Sequence, residues 1–251
     1  MTSSGLSAHA VIIIVFSPYI IKTFCPSGQI TFLSAVPDML YFLMGERSFY
    51  QPLTRSDKIT VILYRLGIFL ATLIVCIAAL LAVRDTFGPG LQDFPFIVSG
   101  FGIGFLLLLL YFAVGLSVFF IHLYVGKFHK TLKKIYYAAF LCLAALFVIG
   151  EGNPAAPLLA SQPFAGLLLL PLSFCLGFVT AKEAFCFRLV EGYILAALMP
   201  AYIFFYSMGG LSNKGTAVGL ALIGAILLLF MFRKVFMPIH FDIGDKSAYQ
   251  P

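Results

Sequence analysis

The sequence predicts an all-α membrane protein: a bundle of six transmembrane helices with both termini on the cytoplasmic side. Three observations carry this. The 251 residues are 61% hydrophobic and only 10% charged, with a mean hydropathy of +1.04. A soluble domain is nearer one quarter charged, so this much apolar surface needs lipid. The apolar residues fall into runs long enough to cross a bilayer. The basic residues fall almost wholly on one side of those runs, as the positive-inside rule requires.

Residues 1–45 form an apolar N-terminal extension. The run Ala10-Val-Ile-Ile-Ile-Val-Phe-Ser-Pro-Tyr-Ile-Ile21 is short and interrupted by Pro18, and the next run is broken at Pro37-Asp38. Such lengths fit interfacial, re-entrant or targeting segments rather than full spans. No Lys or Arg precedes the first run, so the basic leader of a signal peptide is missing.

The transmembrane domain covers 46–236. Thr54 and Asp57 form an N-cap pair, and the first span runs about 59–83, with Arg65 placed to snorkel from its inner end. The second, 95–121, carries Gly100 and Gly104 at a spacing that permits close helix approach. A basic stretch, 122–134, holds Lys127, Lys130, Lys133, Lys134, His122 and His129. The third span, 135–150, covers roughly 24 Å at the helical rise, so flanking lysines must complete it. The fourth, 158–181, has Pro163 near its start and Pro171 as an expected kink. The fifth is 192–208, with Pro200 inside, and the sixth 216–232, with Gly215 and Gly219 again four apart. A polar cytoplasmic tail, 237–251, follows, in which Asp242-Ile-Gly-Asp-Lys-Ser247 has too few carboxylates for a calcium loop and fits a solvated turn.

With six spans, fourteen of the sixteen Lys and Arg lie on one side and only Arg84 and Lys214 on the other. The net charge of +6 therefore marks the cytoplasmic face and not nucleic-acid binding.

Candidate chemistry concentrates at Thr180-Ala-Lys-Glu-Ala-Phe-Cys-Phe-Arg-Leu-Val-Glu191. Ionisable groups at a membrane are costly, and they usually have a partner or a task. Glu183 and Cys186 share a helix face, and with Glu191 they are the candidate metal ligands. Against this, Lys182 and Arg188 stand beside the carboxylates, and Arg65 is placed to reach Glu183 or Glu191. The favoured expectation is a structural ion-pair cluster of Arg65, Lys182, Glu183, Arg188 and Glu191. No catalytic residue and no cofactor is assigned. The five cysteines show neither a disulfide framework nor zinc spacing. No phosphate-binding, hydrolase or zinc-protease motif occurs. The basic 122–134 stretch is a candidate for anionic lipid headgroups.

Four stretches together resemble an uncharacterised family of integral membrane proteins found in cyanobacteria and other bacteria, with relatives in photosynthetic eukaryotes. They are Thr54-Arg-Ser-Asp-Lys-Ile-Thr-Val-Ile-Leu-Tyr-Arg65, Lys127-Phe-His-Lys-Thr-Leu132, Ala181-Lys-Glu-Ala-Phe-Cys-Phe187 with Glu191, and Asp242-Ile-Gly-Asp-Lys-Ser247. The resemblance covers about 46–251 and departs at Arg188-Leu-Val-Glu191, where the family runs Asn-Arg-Leu-Glu. It implies an integral membrane protein, and no activity, cofactor or substrate. The expected setting is a bacterial plasma membrane or a thylakoid or plastid membrane. The expected function is non-enzymatic, through the cytoplasmic face, in assembly or stability of a membrane complex. The alternatives are a small-solute or ion transporter, or a membrane metal site or enzyme built on Glu183, Cys186 and Glu191.

Overall fold

A computed structural model describes residues 54–88, 100–123, 126–160, 162–237 and 242. The N-terminal extension 1–45 and all of the tail 238–251 except Asp242 lie outside the described residues. Eight helices are described: α1 Arg55–Phe87, α2 Gly100–Phe120, α3 Gly126–Ile149, α4 Ala156–Leu159, α5 Pro163–Leu167, α6 Leu170–Phe187, α7 Val190–Ser207 and α8 Asn213–Val235. Six of them are long and apolar enough to cross a membrane, and no strand occurs among the described residues. The six expected spans correspond to α1, α2, α3, α6, α7 and α8.

α1 begins where the sequence places it. The Thr54 side chain accepts from Asp57 N at 3.2 Å, and Asp57 Oδ2 accepts from Thr54 N at 2.9 Å, closing a capping box. Its 33 residues extend roughly 50 Å at the helical rise, against a hydrocarbon core of about 30 Å. The stretch after Arg65 alone suffices to cross. The first turns of α1 can therefore stand beyond the hydrocarbon core.

The helices close into a ring. α1 packs against α2 and α8, α2 against α6, α6 against α7, and α7 against α8, while α3 lies against α2 and α6. The backbone approach that permits this is at Gly67, where an added Cβ would lie 2.5 Å from Ser117 Oγ and 2.7 Å from the Ala113 carbonyl. The spacings singled out in sequence meet side chains instead: Gly104 faces Asn153 Oδ1 and Gly219 faces the Tyr202 ring.

Three expected boundaries change. The 122–134 stretch is mostly helix, because α3 starts at Gly126. Lys127, Lys130, Lys133 and Lys134 thus ride on its first turns. The fourth span is divided: Pro163 opens α5, and Pro171 stands in the first turn of α6 rather than at a kink. Proline suits a first turn because its missing N–H has no intrahelical acceptor there. The 182–191 stretch is not a loop. α6 continues to Phe187, Arg188 turns the chain in the left-handed conformation (φ 54°, ψ 41°), and α7 starts at Val190.

Candidate functional site: a buried ion network at one end of the bundle

α1, α6 and α8 meet at one end of the bundle around Glu183, four residues before the end of α6. Its side chain is fully buried. Burial of a carboxylate in such a place is tolerable only with compensating charge and hydrogen bonds. Tyr64 Oη donates to Glu183 Oε1 at 2.6 Å, and Lys182 Nζ donates to the same oxygen at 2.8 Å. The other oxygen pairs with Lys234 Nζ. Both lysines lie over aromatic rings, Lys182 5.6 Å from the Tyr64 centroid and Lys234 4.1 Å from that of Phe187, a further favourable contact for a desolvated cation.

Lys234 extends the network to the tail, where it also pairs with Asp242 Oδ1. Asp242 Oδ2 accepts from Arg65 Nε at 2.7 Å and lies 2.6 Å from Arg65 Nη2. The same guanidinium donates through Nη1 to the carbonyls of Val235 at 3.0 Å and Met237 at 2.6 Å. α8 ends at Val235, so its terminal carbonyls would otherwise lack donors. Arg65 of α1 therefore caps α8 from a neighbouring helix. The planar fork of arginine suits this four-way task better than the point charge of lysine.

The network brings together some of the sequence candidates and separates others. Lys182 and Glu183 pair. Arg65 pairs with Asp242, not with Glu183 or Glu191. Glu191 is held by Arg233 Nη1 at 2.8 and 3.0 Å, and Arg188 occupies the exposed α6–α7 turn. Glu183 and Glu191 are thus committed to different cations. Cys186 lies half-buried one residue before the end of α6. Among the described residues no group of three His, Cys, Asp or Glu is arranged to hold a metal ion.

Four members escaped the sequence reading: Tyr64, Lys234, Arg233 and Asp242. Tyr64 and Asp242 both lie in stretches that carry the family resemblance, which was the available signal. Asp242 is buried at 5% exposure, not solvated as expected for a tail turn, because two cations from different helices converge on it.

The network can hold elements together. Each carboxylate oxygen of Glu183 and Asp242 faces a cation, so neither is presented to a substrate as a free base.

A family model described as "Uncharacterized integral membrane protein (DUF2301)" matches residues 116–250. That span includes Lys182, Glu183, Glu191, Lys234 and Asp242. A protein of Haemophilus influenzae described as "Uncharacterized protein" is 29% identical over 209 residues, covering 82% of this chain and 99% of the relative. No solved structure matches. Six apolar helices and a family match over more than half its length identify the chain as a multi-pass membrane protein that belongs to the uncharacterized integral membrane protein family DUF2301.

Proposed function

We propose that the protein is a non-enzymatic membrane component that acts through its cytoplasmic face in the assembly or stability of a membrane complex, with the ion network as its structural clasp. One observation carries the reading. At the end of the bundle that holds the network, the exposed charged side chains are Arg55, Lys58, Lys127, Lys130, Lys134, Arg188 and Arg233. The carboxylates Glu183, Glu191 and Asp242 are buried there, and Asp57 is taken up in the α1 cap. The described carboxylates at that end thus face inward or into a cap, and the exposed charged side chains among the described residues there are all basic. Such a face matches anionic headgroups and fits the cytoplasmic side for both termini.

The test is purification of the tagged chain from its native membrane in a mild detergent. The expected result is recovery with a defined set of membrane proteins, and loss of that larger species when the gene is deleted. Recovery as a lone chain that moves a solute or turns over a substrate in liposomes overturns the proposal.

A further inference from the structure

Two imidazoles sit where α2 passes into α3. His122 lies in the linker, and His129 lies in the first turn of α3. Thr60 of α1 gives its hydroxyl proton to the main-chain carbonyls of Asp57 at 2.9 Å and Ser56 at 3.2 Å. Its oxygen is thus left to accept, and the partner is His122 Nε2 at 3.2 Å. With the hydroxyl proton so engaged, we assign the ring proton to Nε2 and the lone pair to Nδ1. Nδ1 is buried without a hydrogen-bond partner. His129 bonds to the main chain of Val118 and Phe119 in the last turn of α2, and its Nε2 is likewise buried without a partner. Each ring therefore ties two elements together through one nitrogen and holds the other, unprotonated, away from water.

We propose that His122 and His129 form a proton-sensitive seam: taking up a solvent proton at His122 Nδ1 opens the contact between the first turns of α1 and the α2–α3 junction.

The surroundings explain why a proton is unwelcome in the closed form. The charged and titratable groups facing His122 are Lys182 of α6, Asp242 of the tail, Asp57 of α1 and His129 of α3. His129 faces Lys133 of its own helix. Both carboxylates are already engaged, Asp57 in the α1 cap and Asp242 with Arg65 and Lys234. A proton on Nδ1 would create a buried donor without an acceptor beside the Lys182 ammonium, and leaving a buried polar group unpaired is costly. Burial first, and Lys182 second, hold His122 below the ordinary imidazole range. The open form binds the proton more readily than the closed form. The closed form is therefore fully favoured above the ordinary imidazole pKa of about 6.5 and loses its advantage as pH falls from there toward the depressed value.

The experiment is hydrogen–deuterium exchange on the full chain in lipid nanodiscs at pH 7.5 and 5.5, corrected for intrinsic rates. Protection in residues 55–64 and 118–130 is expected to fall several-fold on acidification, toward a ceiling of about tenfold for one group of ordinary imidazole pKa, while α7 is unchanged. His122→Gln keeps a donor for Thr60 and cannot take up a proton, so its protection is expected to be independent of pH. His129→Gln is expected to retain the pH response at 55–64. Equal protection of the wild-type chain at both pH values overturns the proposal. So does a His122→Gln variant that opens on acidification as the wild type does.

Discussion

Glu183→Ala is expected to lower the stability of the purified protein by about 3–5 kcal/mol, the usual loss when one partner of a buried ion pair is removed. For a chain of this size that corresponds to a fall in Tm of roughly 10 °C. The substitution leaves Lys182 and Lys234 both buried, at 4% and 0% exposure, with Asp242 the remaining carboxylate between them among the described residues. It also deprives Tyr64 Oη of its acceptor. Glu183→Gln keeps the acceptor and loses the charge, so its loss is expected to be smaller than that of Glu183→Ala. The chain has no tryptophan, but Cys175 is a buried free thiol, so a thiol-reactive dye reports the melt. A Glu183→Ala variant melting within 2 °C of wild type, a threshold of roughly 0.5–1 kcal/mol, would sink the idea that this cluster holds the helices.

Arg65→Lys is expected to lose most of what Arg65→Ala loses. Arg65 contacts Asp242, the Val235 carbonyl and the Met237 carbonyl at once. An ammonium on a flexible stem can restore the charge but not the set of directions. The expected cost of Arg65→Ala is again about 3–5 kcal/mol. Its local sign is release of the tail, read as faster proteolysis within residues 235–246 under conditions where the wild-type tail is resistant. Full rescue of tail protection by lysine would show that only the charge at this position matters.

Much of the bundle was legible because its causes are local or compositional. Apolar runs separated by turns locate four of the six long helices with modest boundary shifts, and Thr54 with Asp57 marks the start of α1. The exceptions are the fourth span and the third. In the fourth, Pro163 and Pro171 each open a helix, and hydropathy alone does not distinguish a proline that kinks a span from one that begins it. The length of α3 was underestimated for a related reason. Its first turns are basic, and a helix that continues past the membrane surface looks like a loop to a hydropathy count.

The site was half legible. The sequence identifies Glu183 and Lys182 as partners because a buried charge needs one close by. It misassigns Arg65, because the choice between Glu183 and Asp242 depends on where the chain returns after α8. The sequence separation of 177 residues between Arg65 and Asp242 leaves no periodicity to read. Asp242 itself has the local composition of a solvated turn. Only the convergence of Arg65 and Lys234 makes its burial favourable.

The central claim is that the tail is clasped through Asp242 by a cation from α1 at the network end of the bundle. A double-mutant cycle on Arg65→Ala and Asp242→Ala, measured by thermal or denaturant unfolding of the full chain in one detergent, tests it most directly. Groups in direct contact are expected to couple, by about 2–3 kcal/mol here, with the double variant no worse than the more damaging single one. Additivity of the two losses to within about 0.5 kcal/mol, as for groups that do not touch, would contradict the clasp.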